Sequence, residues 1–406
     1  LEKEDTLPVC RSNKTALYAA LPERIASVIP EIATPAYVAD AAVLKKNMAT
    51  AAHIRSAAGC RILLATKAFA MPQAFSLMRG SLDGTTASGE FEARLGREEF
   101  GKEVHVYSPA YTAGSMKRLL AYADHLYFNS ADQLERFLPL VKAPGSPGKV
   151  GVRINPGYSN TTLGGALYDP CSPRSRFGVS GADLGRLPWG EIDILHAHAL
   201  CESLADGSIG LIRHLAREFG EYIRRVSAVN FGGGHFINKE GYDIEALIDA
   251  IRWFRAEFGV EVILEPGSGL VVDAGYLVAT VIDVVRNGAG PDIAVLDASA
   301  SCHMPDVLEV PYTPPVYGAA QPGVLDHTCL LAGNTCMAGD IIGEYSFPGP
   351  LKRGDRIVFG DMLQYSFVKN NTFNGTPLPD IDLLHEDGRV EVVRRFGYED
   401  FRGRIG

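Results

Sequence analysis

A lysine closes an apolar run in Arg61-Ile-Leu-Leu-Ala-Thr-Lys67-Ala-Phe-Ala70. The stretch Ile62–Ala65 has the length and composition of a buried strand, so its end carries a long amine into a site rather than into water. Burial disfavours the ammonium, lowers its pKa and frees the neutral amine as a nucleophile, which is what a Schiff-base lysine requires. A lysine snorkelling at a strand end would be the better reading if Lys67 stood alone. Two other groups share its pattern. Gly232, Gly233 and Gly234 end the strand-like Ala228–Gly234, and bare backbone N–H groups there can close on a phosphate. Glu265 ends the apolar Val262–Leu264. A carboxylate held against a pyridine nitrogen keeps that nitrogen protonated, so the ring accepts electrons. Lysine, phosphate cradle and ring acid together describe a site for pyridoxal 5'-phosphate (PLP).

Further candidates surround these three. His196 and His198 stand two apart on a strand and face one side, so a metal pair is conceivable. No third ligand has matching placement, and no metal is expected. His198 suits a place over a cofactor ring, and His196, set deeper, a structural one. Cys336 and Asp340 lie four apart in the Gly-bounded loop Gly333–Asp340, and Gly360–Tyr365 is a second such segment. Cys302–Glu309 brings Asp306 and Glu309 beside prolines. It reads either as a functional loop or as a plain turn.

The elements that must hold these residues alternate from about residue 60 to 267. Strand candidates are Ile62–Lys67, Gly84–Ser88, Glu103–Ser108, His125–Asn129, Val150–Asn155, Ile194–Leu200, Ala228–Gly234 and Val262–Gly267. Helical stretches between them include Gly89–Phe100, Ala113–Ala123, Ala131–Val141, Leu211–Val226 and Ile244–Phe258. The Gly157–Pro173 segment reads as a functional loop. About eight β/α units make a TIM barrel the leading fold, with Lys67, His198, the glycines and Glu265 on its C-terminal rim. A doubly wound open sheet is the alternative, because periodicity does not reveal closure. After Gly275 the texture becomes all-β, with strands expected at Tyr276–Val285, Asp292–Leu296, Arg356–Phe359 and Val390–Val393. The expected architecture is therefore α/β plus all-β: a PLP-binding (β/α)8 barrel over 37–270, a C-terminal β domain over 271–406, and an N-terminal segment, 1–36, packing with the β domain. That segment carries a short helix at Thr15–Ala26, and Ala36–Asp40 is a strand able to pair with the β domain.

Bulk properties limit the function classes. At 406 residues the chain exceeds the size of a single growing core. Its net charge of -9 and the lack of a Lys/Arg cluster argue against a nucleic-acid partner. No apolar run approaches the roughly 20 residues that span a bilayer. Seven cysteines, scattered and without a CxxC pair, argue against a disulfide framework or zinc knuckle and fit a reducing, cytoplasmic setting. The chain begins at Leu1, not Met, which leaves room for a trimmed leader.

The segments Leu63–Ala70, Leu82–Ser88, Tyr107–Tyr111, His198–Glu202, Asn230–His235, Leu264–Gly267, Leu296–Ser299, Cys302–Tyr312 and Phe373–Gly375 together resemble the fold-type III PLP decarboxylases. That group holds ornithine, arginine and diaminopimelate decarboxylases and, more distantly, alanine racemase. The resemblance spans roughly residues 36–380 and is strongest to the branch acting on carboxylated polyamines. It implies PLP bound covalently to Lys67, His198 stacked on its ring, phosphate contacts from Gly232–Gly234, and Glu265 at the pyridine nitrogen. It further implies a homodimer with shared sites, in which the neighbouring subunit brings Cys336, the candidate acid that reprotonates Cα, together with Tyr365. The implied substrate is carboxynorspermidine, then carboxyspermidine, its ammonium groups met by Asp306 first and by Asp340, Glu202 and Glu309 after it. Two departures weaken a diaminopimelate reading. Ser268 follows Glu-Pro-Gly where an Arg would hold a distal carboxylate, and Met337 follows Cys336 where those enzymes carry an acid. Alternatives are another enzyme of the fold (diaminopimelate, ornithine or arginine decarboxylase, or a racemase) and a non-catalytic PLP-binding homologue. The latter would be expected to have lost Lys67 or Cys336, and both are present.

Overall fold

The computed structural model describes residues 20–144, 146, 148–160, 169–288, 290–310 and 312–406. The chain forms two compact units: Lys45–Leu270, and the chain up to Leu44 together with Val271–Gly406. In chain order the strands are β1 (Ala36–Asp40), β2 (Arg61–Ala65), β3 (Gly84–Ala87), β4 (Glu103–Tyr107), β5 (His125–Phe128), β6 (Lys149–Arg153), β7 (Ile194–His196), β8 (Ala228–Asn230), β9 (Glu261–Leu264), β10 (Gly275–Val285), β11 (Asp292–Leu296), β12 (His327–Ala332), β13 (Ile341–Phe347), β14 (Arg356–Gly360), β15 (Asp380–Leu384) and β16 (Val390–Arg394).

Strands β2 to β9 form a closed barrel, all parallel, with β9 returning to β2 through Arg61↔Ile263 and Ile62↔Leu264. Parallel strands covered on both faces read as continuous apolar runs, and Ile62–Ala65 and Val150–Arg153 are buried throughout. Leu63, Tyr127, Ile194, Ala228 and Ile263 pack as one cluster inside. The helices begin where side chains satisfy their free N–H groups. Thr112 and Ser115 form a capping box for Ala113–Leu119, Ser130 caps Ala131–Val141, and Asp243 caps Ile244–Phe258, which ends at left-handed Gly259.

Closure removes the open-sheet alternative. The strands stop short of the expected ends: Lys67, His198, Gly232–Gly234 and Glu265 all lie just past the last paired residues. Side chains and N–H groups used for chemistry have to leave the ladder. The helix expected over Gly89–Phe100 runs as Glu90–Leu95 and then widens at Gly96–Phe100. Between β6 and β7 the described residues hold only short 3₁₀ segments, Gly181–Arg186 and Trp189–Glu191. Residues 161–168 of the expected functional loop lie outside the described residues, as do Thr15–Ala19 of the expected N-terminal helix. The described remainder of that helix is one turn, Glu23–Ala26, set by Pro22.

The second unit is built on an eight-stranded sheet, β13-β12-β11-β10-β1-β15-β16, with β14 pairing β10. It is mostly antiparallel, the exceptions being β1 with β15 and β11 with β12. Residues 37–44, assigned above to the barrel, group instead with this unit. The cause is strand pairing: β1 bonds to β10 through Ala36↔Val278 and to β15 through Ala36↔Asp380. Ile25, Ile29 and Ile32 bury against Val38, Val278 and Leu384 in one core. Three strands escape the sequence pattern: β12, β13 and β15 are short and interrupted by polar residues or glycine, as in Asp380-Ile-Asp-Leu-Leu384. Among the described residues no helix is long and apolar enough to cross a membrane.

Candidate functional site

The ends of the barrel strands surround a small cleft lined by Lys67, Ser88, Tyr107, Arg153, His196, His198, Gly233 and Glu265 among others. Lys67 is exposed where it lines the cleft, and the protein around that cleft still desolvates its amine. Burial first, and then the Arg153 charge, lower its pKa, against the opposing pull of Glu265 and Glu92. The amine is thereby poised as the nucleophile that the strand-end position suggests.

Glu265 is buried at 6% exposure. Burial alone would raise its carboxyl, but the adjacent His196 and the Asn230 hydrogen bond hold it at about 2. Asn230 Nδ2 donates to Glu265 Oε1 at 2.8 Å. His196 Nε2 stands 3.4 Å from Oε2, but its direction is poor, and neither His196 ring nitrogen has a hydrogen-bond partner. Burial lowers the His196 pKa, so the contact is a polar one without a standing ion pair, and Oε2 keeps acceptor capacity. A fixed anion of this kind suits a protonated pyridine nitrogen.

His198 is half-buried. Its Nδ1 accepts the Gly233 N–H at 2.7 Å, so the ring carries its proton on Nε2. Burial, Lys67 and Arg153 push its pKa well below the usual range. It is a neutral ring, suited to lying on another ring.

The glycine turn is partly engaged within the barrel. Gly232 N–H is bonded to Asn230 Oδ1 at 2.8 Å and Gly233 N–H to His198. Two of the three donors expected for a phosphate are thus engaged within the barrel, and Gly234 N–H remains. What the glycines supply is close approach. Gly232 has φ +70, and a Cβ there would sit 2.6 Å from His198 Cβ. Gly234 has φ +87, and a Cβ would meet the Leu200 carbonyl at 2.3 Å. Only glycine adopts this turn without strain.

The remaining expected residues belong mainly to the sheet unit. Cys336 is exposed in its loop, with its N–H on Asn374 Oδ1 at 2.9 Å. Asp340, expected among the substrate acids, instead organises that loop. Its carboxylate accepts from Ser299 Oγ, the Ser301 N–H and both Thr335 Oγ1 and N–H. A carboxylate so occupied has little left to offer an ammonium. Asp306 is buried, and Lys369 Nζ bridges it at 2.5 Å to Glu309. These two acids are therefore charge-paired within the unit. Tyr365 is half-buried with φ 52, and Glu202, in the barrel unit, has φ 44. Left-handed backbone at non-glycine residues is strained and concentrates at functional sites.

Arg153 escaped the sequence reading. It is 4% exposed, donates to the His198 carbonyl at 3.1 Å, and lies 4.6 Å from the Tyr107 ring centre and 4.5 Å from that of Phe177. Its signal was the one that exposed Lys67, a cation closing an apolar strand. Among the described residues all six cysteines are free, and Cys10 lies outside them.

The residues fit PLP on three observations: a desolvated amine, a buried anion with an open oxygen, and a turn no Cβ could enter. Comparison with known proteins agrees. A family model described as "Pyridoxal-dependent decarboxylase, C-terminal sheet domain" matches residues 36–362. The chain is 40% identical over 385 residues to carboxyaminopropylagmatine decarboxylase of Synechocystis sp., covering 93% of this chain and 97% of that protein. It is 38% identical over 382 residues to carboxynorspermidine/carboxyspermidine decarboxylase of Campylobacter jejuni, covering 91% and 98%. The crystal structure of the Campylobacter jejuni carboxynorspermidine decarboxylase complexed with norspermidine superposes with a TM-score of 0.85 at 37% identity, covering 92% of this chain and 100% of that one.

Proposed function

We propose that this chain, which belongs to the pyridoxal-dependent decarboxylase family, decarboxylates a carboxylated polyamine in polyamine biosynthesis: carboxynorspermidine first, carboxyspermidine second. Near full-length relatedness to enzymes named for these substrates is the observation that carries the reading. Ser268 supports it from within the chain. It is buried at the first turn after Glu265-Pro266-Gly267 and is too short and uncharged to hold a distal carboxylate. A second reading, carboxyaminopropylagmatine, rests on the Synechocystis relative and differs by a guanidinium end.

PLP, the family's cofactor, supplies when bound a sink for the electron pair left behind by CO₂. Lys67 offers its neutral amine to the cofactor's aldehyde carbon. Glu265, anionic across the physiological range, would hold a proton on the ring nitrogen, and the uncharged His198 ring would lie on the cofactor ring. Gly234 offers its N–H to the phosphate, and the Gly232–Gly233 turn gives the room. Arg153 keeps a second positive charge beside Lys67 and so favours the amine's neutral form. Cys336, exposed on its loop, is the candidate donor of the proton to Cα, Tyr365 would approach the cofactor, and both are supplied by the partner in a homodimer of shared sites. Asp306, helped by Glu309, is the candidate receiver of a substrate ammonium, which would have to share these carboxylates with Lys369 or replace it. Glu202 follows as a further candidate, while Asp340 serves the Cys336 loop. A cytoplasmic location accords with this reading and with the six free cysteines of the described residues.

The test is CO₂ release by the purified enzyme across carboxynorspermidine, carboxyspermidine, carboxyaminopropylagmatine, diaminopimelate and ornithine. Carboxynorspermidine should show the highest kcat/KM. Faster turnover of diaminopimelate or ornithine would overturn the substrate and leave family and cofactor intact.

A further inference from the structure

A line of buried polar groups runs along the barrel interior, beyond the residues that face the cleft. Asn230 Nδ2 donates to Glu265 Oε1 at 2.8 Å and to Tyr127 Oη at 3.0 Å. Tyr127 Oη meets His105 Nδ1 at 2.8 Å. His105 Nε2 meets Glu103 Oε2 at 3.3 Å, and Arg61 holds that carboxylate at 2.8 and 3.1 Å. Glu103 and Arg61 are the first residues of β4 and β2, so the line starts at the opposite end of the barrel from Glu265. Asn230, Tyr127 and His105 have essentially no exposure. Gly151 of β6 makes the space, since a Cβ there would lie 2.2 Å from Tyr127 Cδ1.

Proton counting gives the line one direction. Gly232 N–H must donate, so Asn230 turns Oδ1 toward it and uses both Nδ2 hydrogens on Glu265 and Tyr127. Tyr127 Oη therefore accepts from Asn230 and has one proton left, which can go only to His105 Nδ1. His105 is then neutral with its proton on Nε2, directed at Glu103. Glu103, His105 and His125 bring their ligand atoms within 4.8 Å of one another, and with its proton on Nε2 His105 faces Glu103 as a donor and not as a metal ligand.

We infer that Tyr127 and His105 are positioning residues for Glu265, fixing the Asn230 amide and through it the carboxylate that faces the cofactor ring. Without Tyr127 Oη the Asn230 amide loses one of its two acceptors and can turn, releasing Glu265 Oε1. Tyr127 stays protonated because burial, and then Glu265, raise its pKa well above the usual value. At the far end the His105 bond, against the opposing effect of burial, and Arg61 hold Glu103 ionised at about 2. This inference rests on the PLP reading for its catalytic consequence and on the hydrogen-bond geometry alone for the state of His105.

Two measurements test it. Histidine-selective nitrogen NMR, assigned with His105→Gln, should find His105 neutral and protonated on Nε2 in apoenzyme and holoenzyme alike. Tyr127→Phe should lower kcat about tenfold to hundredfold, the scale of one lost bond supporting a charged group. It should leave KM little changed and shift the absorbance spectrum of the bound cofactor. A His105 protonated on Nδ1, or a Tyr127→Phe enzyme with wild-type kcat and spectrum whatever its melting temperature, overturns the inference. If Tyr127→Phe does not fold, the tautomer in the native enzyme decides. Failure of Lys67→Ala to abolish turnover would strike the PLP reading instead and leave the tautomer result standing.

Discussion

At the scale of single residues, burial and charge work in opposite senses on two neighbours. Lys67 is pushed toward its neutral form by burial and Arg153. Glu265 is held ionised by His196 and Asn230 despite its burial. One cleft thus carries a nucleophile and an anion together. Lys67→Ala should remove the cofactor's visible absorbance and essentially all turnover, and a variant retaining full activity would rule out Lys67 as the attachment point. Glu265→Gln should lower kcat by about two orders of magnitude, the scale of one preorganised charge-stabilising group, with Lys67 still loading the cofactor. The Glu265 pKa also makes a stability statement. Its folded value, about 2, is below the ordinary 4.5, so its stabilising contribution is full above pH 4.5 and is lost as pH falls toward 2. The melting-temperature gap between wild type and Glu265→Gln should narrow across that window.

At the scale of elements, the loop that carries Cys336 depends on one carboxylate. Gly333 N–H bonds to the Asp340 carbonyl at 2.9 Å, and a Cβ on Gly333 would lie 2.2 Å from Asp340 Oδ2. Gly333→Ala should therefore disturb the loop at a cost of about 1–3 kcal/mol, as overpacking does, and lower kcat with it. Unaltered melting and turnover would show that Cys336 does not need this loop geometry. The short helix Asp306–Glu309 holds the proposed ammonium receiver. Asp306→Ala should raise KM for carboxynorspermidine and lower kcat/KM about tenfold to hundredfold, with cofactor binding nearly intact. A loss confined to cofactor binding would count against that role.

At the scale of the molecule, the catalytic candidates are divided between two units, Lys67 in one and Cys336 in the other. Sharing within a homodimer makes a definite prediction. Mixing inactive Lys67→Ala with inactive Cys336→Ala subunits should restore part of the activity, because some heterodimers hold one intact site. Absence of rescue after proven subunit exchange would argue for sites within one chain. Each unit also buries a neutral histidine, His235 in the barrel unit and His303 in the sheet unit. Burial lowers both to about 4 from 6.5. Between those values the unfolded chain binds protons that the folded chain refuses, so stability is full above pH 6.5 and falls as pH drops toward 4. Each group should contribute a slope of up to about 1.4 kcal/mol per pH unit, readable from denaturant melts.

The sequence by itself determined the alternation of strands and helices, the change of texture after Gly275 and the three rim features Lys67, Gly232–Gly234 and Glu265. These are local: an apolar run of strand length ending in a charge or in glycine shows its nature without knowing its partners. Tertiary structure alone decided what depends on which strands meet. Closure rests on Arg61↔Ile263, a pairing across about two hundred residues. The place of β1 in the sheet rests on β10 and β15. The line from Glu103 to Glu265 and the engagement of Gly232 N–H require side chains from β2, β4, β5, β8 and the rim to converge, and the Asp340 carboxylate is engaged by Ser299, Ser301 and Thr335. Hydrogen-bond partners are set by proximity in space, and periodicity along the chain carries no record of it.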